Sequence, residues 1–226
     1  MTHAVIVGAG SGLSASLARQ CAAAGMRVAL AARNVEKLEG LKKETGASVH
    51  ACDATDARQV DALFAALEAP GLVVYNASYR ARGPFVSLDA EEVRRTLTVS
   101  AYGGFLVAQA AARRMLERGE GSLFFTGASA SVKGYAESAP FAMGKFALRG
   151  LAQSLARELG PKGIHVAHFV IDGGILRKGG DARAAARGED GMLDPDAIAR
   201  TYLDVHRQHR SAWSFEVDLR PWVERF

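Results

Sequence analysis

Cysteine is scarce in this sequence, which holds only two, Cys21 and Cys52. Two isolated cysteines provide neither a disulfide framework nor the paired spacing of a zinc site, and free thiols fit a reducing compartment. The six histidines show no metal-ligand spacing either. We therefore expect no metal site in this protein.

Long apolar runs and blocks of like charge are also missing. No stretch reaches the ~18 uninterrupted apolar residues of a membrane-spanning helix. The formal net charge is +4, but the 28 basic and 24 acidic residues are interspersed and form no nucleic-acid-binding block. These absences predict a soluble, cytoplasmic protein with no membrane and no nucleic-acid partner.

Residues 4–33 carry the strongest positive signal, AVIVGAGSGLSASLARQCAAAGMRVALAAR. An apolar strand at 4–7 leads into a glycine-rich turn, an alanine-rich helix follows, and a second apolar strand spans 27–32. This order is typical of a βαβ unit that binds a dinucleotide, because glycines let the backbone approach a pyrophosphate held at the helix N-terminus. The residues expected to bind the cofactor here are Gly8, Gly10, Ser11, Gly12 and Leu13.

The end of the second strand indicates which dinucleotide binds. NAD-binding units place an acidic residue about 20 positions past the glycines, whereas an arginine there accommodates the 2′-phosphate of NADP. This chain has Ala31, Ala32 and Arg33. A guanidinium pairs with a phosphate and a carboxylate would repel it, so NADP(H) is favoured over NAD(H). The alternative, that Arg33 is a solvated residue at a helix start, stays open.

The rest of the chain alternates strands with helices. Further strands are predicted at 48–51, 72–75, 121–126 and 164–171 and near the C-terminus, with helices at 35–46, 56–67, 90–117, 141–159 and 194–209. Parallel strands joined by helices need cover on both faces. The fold class is therefore α/β, a Rossmann-like doubly wound parallel sheet in a three-layer α/β/α sandwich. We expect one dinucleotide-binding domain over residues 1–226, with a lid at about 175–193.

The chain resembles the short-chain dehydrogenase/reductase family over nearly its full length. GAGSGLS is similar to the family's glycine motif, Asn76-Ala77-Ser78 to its NAG motif, and Asp172-Gly173-Gly174-Ile175 to its lid-side motif. The resemblance implies a nicotinamide cofactor bound in part by Asn76, Gly173 and Ile175, with Asp53 hydrogen-bonded to adenine. It also implies a homodimer or homotetramer built through the two long helices.

The catalytic positions depart from that family's pattern. The family uses Asn, Ser, Tyr and Lys, the last two as YxxxK, a spacing that puts both side chains on one helix face. Here Lys145 is retained, but Phe141 stands for the tyrosine, Ala128 for the serine and Ser100 for the asparagine. The resemblance implies that Lys145 also binds the nicotinamide ribose. A phenylalanine has no proton to donate to a carbonyl as hydride arrives.

If this protein reduces a carbonyl, another side chain has to act as the acid. Tyr135, six residues before Phe141, is the best candidate because only a phenol repeats the lost chemistry. Other possible neighbours of the nicotinamide pocket are Ser78, Tyr79, Ser129, Ser138 and Asp172. Two functions stay open: an NADP(H)-dependent oxidoreductase of a small carbonyl or alcohol substrate with an atypical site, or a catalytically silent NADP(H)-binding sensor or scaffold.

Overall fold

A parallel β-sheet organises the computed structural model, which describes residues 2–177 and 180–224. Its strands in the described residues are β1 (His3–Val7), β2 (Arg27–Ala32), β3 (Ser48–Ala51), β4 (Leu72–Tyr75), β5 (Gly121–Thr126), β6 (Ile164–Ile171) and β7 (Glu216–Leu219). Five of the six strands predicted with bounds have those bounds, and β1 begins one residue earlier. Residues 178 and 179 of the expected lid lie outside the described residues.

The strand order is β3-β2-β1-β4-β5-β6-β7, and every pairing is parallel. The chain runs outward from β1 to β3, then crosses back so that β4 pairs with the other side of β1. In doubly wound sheets ligands bind beyond the carboxyl ends of the strands at such a switch point. The β1–β4 pair, in which Val7 lies opposite Tyr75, therefore marks where a site belongs.

Helices cover both faces of this sheet. They are α1 (Leu13–Ala23), α2 (Glu39–Thr45), α3 (Ala57–Ala66), α4 (Ala90–Leu97), α5 (Gly103–Leu116), α6 (Ala139–Leu159), α7 (Ala182–Arg187) and α8 (Pro195–His206). Buried side chains of α3, α5 and α6 form one core with Val5 and Val73, while those of α1, α2 and α8 form a second core with Ile6 and Val74. Successive strand residues point to opposite faces, so one strand supplies both cores. The predicted Rossmann-like three-layer fold is confirmed.

Local sequence explains several helix ends. Asp56 caps α3 by accepting hydrogen bonds from the backbone N–H groups of Arg58 and Gln59, and Asp194 caps α8 in the same way. Gly46 ends α2 in the left-handed conformation, φ 68°. These ends were predicted, although α8 stops at His206 rather than near His209.

Three predicted helices differ in detail. Residues 35–46 form a 3₁₀ turn, Glu36–Leu38, before α2, because the Asn34 side chain accepts the Glu36 N–H and opens a tight turn. Helix α6 begins at Ala139 instead of Phe141, since Pro140 fits the first helical turn, where its missing N–H costs nothing. The long helix over 90–117 contains a π turn, Thr98–Tyr102, between α4 and α5.

A membrane-spanning helix and a metal site were both expected to be absent. No helix in the described residues is long and apolar enough to cross a membrane. No group of three or more histidine, cysteine, aspartate or glutamate side chains is placed to hold a metal ion in the same part of the chain. Cys21 and Cys52 are both free and buried, and burial raises the pKa of the Cys21 thiol to about 12.

Candidate active site

A cavity of about 1060 Å³ opens at the carboxyl ends of the strands. Its lining comes from the glycine turn (Gly12, Leu13), the loop after β4 (Asn76, Ser78, Arg80, Arg82), the loop after β5 (Gly127, Ala128, Ser129), α6 (Phe141, Lys145) and the loop after β6 (Asp172, Gly173, Ile175). It therefore brings together residues that are far apart in sequence at the predicted edge of the sheet. Gly8, Gly10, Ser11, Arg33, Asp53 and Ser100 are not part of the lining.

The glycine turn has the form that a pyrophosphate requires. Gly8 has φ +84°, and a Cβ on it would lie 2.3 Å from the Ala77 backbone nitrogen, so only glycine fits. A Cβ on Gly10 or Gly12 would meet no protein atom within 4 Å. The space outside these two glycines is thus open at the N-terminus of α1, where backbone N–H groups attract an anion. The residues present fit a dinucleotide.

Ser14 connects this turn to the loop after β4. Its hydroxyl donates to the Gly8 carbonyl oxygen at 3.2 Å and accepts from the Asn76 side-chain amide at 2.7 Å. Ser14 is 1% exposed, so these bonds satisfy a hydroxyl that would otherwise be buried without a partner. No role was assigned to Ser14, the last residue of the GAGSGLS motif, from the sequence alone. Its place on the apolar face of α1 was the available signal for a structural hydrogen bond.

Lys145 reaches the cavity from the inner face of α6. It is 3% exposed, and its ammonium donates to the Thr126 carbonyl oxygen at 2.8 Å. Burial, with a smaller contribution from the nearby Arg80 charge, lowers the pKa of Lys145 to about 8. The hydrogen bond therefore holds the lysine at the end of β5, and the lowered pKa means that its ammonium loses a proton at a lower pH than an ordinary lysine does.

Phe141 lies one helical turn before Lys145 on the same face. The Lys145 Nζ is 5.8 Å from the Phe141 ring centroid, and the Arg80 guanidinium lies over that ring at 4.3 Å. Phe141 is only 8% exposed. Ala128 lines the same cavity, so neither position offers a proton. Arg80 was missed, although two arginines so soon after the Asn76 motif, Arg80 and Arg82, were a signal.

Ser100 lies in the π turn rather than in the cavity wall. It is fully buried, donates to the Tyr79 carbonyl oxygen at 3.4 Å, and faces α6 so closely that a Cβ on Gly144 would lie 2.9 Å from its Cβ. Tyr79, expected as a neighbour of the nicotinamide pocket, is not in the lining either. That expectation was wrong because the Tyr79 hydroxyl donates to Glu92 at 2.5 Å and its ring lies under Arg95.

Tyr135 does line the cavity, together with Ser78, Ser129, Ser138 and Asp172. The Tyr135 side chain is 43% exposed, and the Lys133 ammonium lies 5.6 Å from its ring centroid. Lys133 also approaches Asp172 at 3.8 Å. Hydrogen bonding to Tyr135 is the main cause that raises the pKa of Lys133. All five tyrosines lie in the described residues, and Tyr135 alone among them borders the cavity.

Arg33 and Asp53 follow the paired ends of β2 and β3, in which Ala32 lies opposite Ala51. Both residues are thus at the same sheet edge as the glycine turn. Arg33 is exposed and forms no ion pair within the part of the chain that the structure describes. One Asp53 carboxylate oxygen accepts from the Thr55 backbone N–H at 2.9 Å and from its hydroxyl at 2.7 Å. These bonds fix the Asp53 carboxylate in place.

A buried polar cluster lies behind Lys145 and was not anticipated. His168 on β6 is fully buried, and its Nδ1 donates to Glu216, which Arg149 holds through two bonds of 2.7 and 2.8 Å. Burial lowers the pKa of His168 to about 4, so the ring is neutral at pH 7. Its Nε2 has no hydrogen-bond partner among the described residues. A Cβ on Gly127 would lie 2.2 Å from that Nε2. His168 therefore requires glycine at the start of the Ala128 loop.

Comparison with known proteins identifies relatives of this chain. A family model described as short chain dehydrogenase matches residues 2–176. The chain is 31% identical over 172 residues to a D-threitol dehydrogenase of Mycolicibacterium smegmatis, a match that covers 72% of this chain and 66% of that protein. Matches to two 3-dehydrosphinganine reductases of Arabidopsis thaliana cover only 53% and 52% of those proteins.

Solved structures match over almost the whole chain. A short-chain dehydrogenase from Rhodopseudomonas palustris is 33% identical with a TM-score of 0.86, and the match covers 98% of this chain and 99% of that one. A metagenomic short-chain oxidoreductase in complex with NADP is 27% identical with a TM-score of 0.84, and 98% of each chain is covered. The fold, the glycine turn and these matches together show that this chain belongs to the short-chain dehydrogenase family.

Proposed function

We propose that this protein is an NADP(H)-dependent oxidoreductase of a small carbonyl or alcohol substrate, with an atypical active site. The observation that carries the proposal is the placement of Lys145. Its buried ammonium lies in one cavity with Gly12, Asn76 and Gly173, three positions of the family's cofactor motifs. Family membership and a solved neighbour that holds NADP support the same assignment.

In this proposal, different residues of the chain bind different parts of the cofactor. The N–H groups of the glycine turn and the N-terminus of α1 bind the pyrophosphate. Arg33 pairs with the 2′-phosphate, Asp53 accepts from adenine, and Lys145 donates to the nicotinamide ribose. The nicotinamide, when bound, supplies or accepts the hydride. Gly173 and Ile175 close the nicotinamide end of the cavity.

The proton needs a separate source. Phe141 and Ala128 hold no transferable proton, and Lys145, held by the Thr126 carbonyl oxygen, is assigned to the nicotinamide ribose in this proposal. We assign Tyr135 as the acid, because it is the tyrosine that borders the cavity and Lys133 stands beside its ring. Loss of a positioned acid typically costs about 10²–10⁴ in rate, so Tyr135→Phe should abolish most of the activity on any substrate that is turned over.

Restoring the family's side chains tests the atypical site. The double variant Phe141→Tyr with Ala128→Ser should raise kcat/KM on generic aldehydes or diketones by about 10² or more, the scale of a regained general acid. NADPH affinity, measured by fluorescence titration, serves as the control and should stay unchanged. A double variant that binds NADPH tightly but reduces none of these compounds would contradict the oxidoreductase proposal.

Cofactor preference is tested at Arg33. NADPH should bind at least tenfold more tightly than NADH, equivalent to ~1.4 kcal/mol, because the exposed guanidinium has no protein carboxylate within the described residues. Arg33→Ala should remove most of that difference, whereas Arg58→Ala, an exposed arginine on α3, should leave it intact. Equal affinities of the wild type for both dinucleotides would refute the preference.

A second candidate function follows from Phe141 and Ala128. A protein without an acid at either position suits a sensor or scaffold that binds NADP(H) without turning over a substrate. Tight NADPH binding together with unchanged inactivity in the Tyr135 and the double variants would favour this function. Wild-type turnover that Tyr135→Phe abolishes would exclude it.

A further inference from the structure

Positive charge dominates the described wall of the active-site cavity. Six cationic side chains line it against three carboxylates. The cations are Arg80, Arg82, Lys145, Arg177, Arg183 and Arg187, and the carboxylates are Glu137, Asp172 and Glu224. Two of the arginines are paired, Arg183 with Asp181 at 2.5 Å and Arg187 with Glu224 at 3.7 Å.

The arginines of the lining come from two segments of the chain. Arg177, Arg183 and Arg187 belong to the segment after β6, which also carries Gly173 and Ile175, the residues assigned to the nicotinamide end of the cofactor. Arg80 and Arg82 belong to the loop after β4, next to Phe141 and Lys145. This loop is separate from the glycine turn, to which the pyrophosphate is assigned, so the pyrophosphate does not account for the charge of Arg80 and Arg82.

Arg80 is held in a defined orientation. Its guanidinium lies 4.3 Å above the centroid of the buried Phe141 ring, an arrangement in which the ring fixes the plane of the guanidinium and leaves its N–H edge free. Among the residues that the structure describes, no carboxylate forms an ion pair with Arg80 or Arg82. Burial and the neighbouring Arg82 lower the pKa of Arg80, but a guanidinium stays protonated.

Within the described part of the chain, no acidic side chain forms an ion pair with the neighbouring Lys145 either. Lys145 has the neutral Thr126 carbonyl oxygen as its hydrogen-bond partner, and Arg80 is the second cause of its lowered pKa. Glu137 lines the same cavity. Its described interaction is through its backbone carbonyl oxygen, which accepts from the Gly83 N–H. Two cations that face one cavity without an anionic partner form a site in which an anion is favourable.

We propose that the Arg80 guanidinium, stacked on Phe141 and assisted by Arg82, binds an anionic group of the substrate. The substrate class is then a small carbonyl or alcohol compound that carries a carboxylate or a phosphate. Arg80 is a binding residue in this scheme and transfers no proton. Phe141 has a role of its own, since its ring supports the arginine. This inference rests on the proposed function, because it names the substrate of that same cavity.

Binding of unreactive anions tests the subsite without turnover. Malonate and inorganic phosphate are titrated by calorimetry into the NADPH-saturated protein, where the cofactor blocks the glycine turn. Arg80→Gln should weaken binding of the preferred anion at least tenfold, in keeping with the loss of a charge-assisted pair. Arg80→Lys keeps the charge but loses the planar fork and should bind with intermediate affinity. Arg58→Gln is the matched control and should bind as the wild type does.

Comparison of the two anions identifies which anionic group the substrate carries. Tighter Arg80-dependent binding of malonate assigns a carboxylate substrate, and tighter binding of phosphate assigns a phosphorylated one. Equal binding by the wild type and Arg80→Gln, or no binding of either anion, would overturn the subsite. Because Arg80 is an exposed loop residue, its variants should fold, and unchanged NADPH affinity verifies this.

Kinetics then separate this inference from the proposed function. A four-carbon 2-oxo acid should be reduced about 10- to 100-fold more efficiently than its methyl ester, and Arg80→Gln should remove the difference. Reduction of acid and ester at equal rates would overturn the subsite and leave the oxidoreductase assignment standing. Arg80-dependent anion binding without reduction of any carbonyl compound would support the subsite and contradict the oxidoreductase assignment.

Discussion

At the scale of single residues, spacing in the sequence predicted only part of the site. Phe141 and Lys145 could be paired in advance because an i, i+4 spacing places both on one helix face. Arg80, Ser14 and His168 could not, since each acts through a partner that only the tertiary fold supplies: the Phe141 ring, the Asn76 amide and Glu216. The functional roles assigned to Lys145, Phe141 and Arg80 stay predictions.

Lys145 links pH to cofactor binding. Its pKa is lowered to about 8, so the ammonium loses its proton as the pH rises through that value. NADPH affinity should therefore fall between pH 7 and pH 9, by up to about tenfold for one charge-assisted hydrogen bond. Fluorescence titration at several pH values measures this, and Lys145→Met should bind weakly with no such fall.

The free energy of unfolding should change in the opposite direction. An unfolded lysine keeps its proton up to about pH 10.5, whereas the folded one loses it near 8. Since the unfolded state binds more protons between these values, stability gains a contribution from Lys145 as the pH rises across that window. Denaturation of the wild type and Lys145→Met should differ most below pH 8. If NADPH affinity and the free energy of unfolding both fell as the pH rises, the loss of affinity would come from unfolding and not from the loss of one charge.

At the scale of elements, alternation of apolar strands with capped helices was enough to place most boundaries. The π turn Thr98–Tyr102 was not predictable, because its sequence has ordinary helical periodicity and the extra residue is accommodated by packing. Within it Ser100 is buried against α6, and the preceding residue, Val99, accepts a hydrogen bond from the Tyr75 hydroxyl at its carbonyl oxygen. Ser100, which stands at the family's asparagine position, therefore lies in this turn and not in the described lining of the cavity.

Two helical glycines give a matched test of how closely these elements pack. A Cβ on Gly103 would lie 2.5 Å from the Tyr75 hydroxyl and 3.0 Å from the Ala54 backbone oxygen, so Gly103→Ala should destabilise the protein by about 1–3 kcal/mol. A Cβ on Gly150 of α6 would meet nothing within 4 Å. Gly150→Ala should stabilise by about 0.5–1 kcal/mol, since alanine favours a helix. Chemical denaturation measures both, and similar effects of the two changes would contradict this packing.

At the scale of the whole molecule, the order of strands and helices determined the fold because right-handed crossovers leave few ways to connect parallel strands. The same topology explains why the cavity lies at the β1–β4 switch point. Three expectations stay predictions, because contacts within one chain do not test them. They are one domain over residues 1–226, a lid at about 175–193, and assembly into a homodimer or homotetramer.

Assembly is expected through α5 and α6, which cover the same face of the sheet. Large apolar side chains remain exposed there, Phe105 at 41%, Met143 at 50% and Phe146 at 43%, and the Tyr102 ring stacks on Phe105 with centroids 6.2 Å apart. Exposed apolar side chains on two neighbouring helices favour an interface here, and a two-fold axis would let this face cover itself.

Charge placed on that surface should therefore separate the subunits. The wild type should scatter light as a dimer or tetramer at micromolar concentration, and Phe105→Glu with Phe146→Glu should reduce it to a monomer because two carboxylates would be buried without partners. Phe85→Glu, at an exposed loop residue outside these helices, is the control and should leave the mass unchanged. A wild type that is monomeric under these conditions, or a double variant that keeps its mass, would reject assembly through this face.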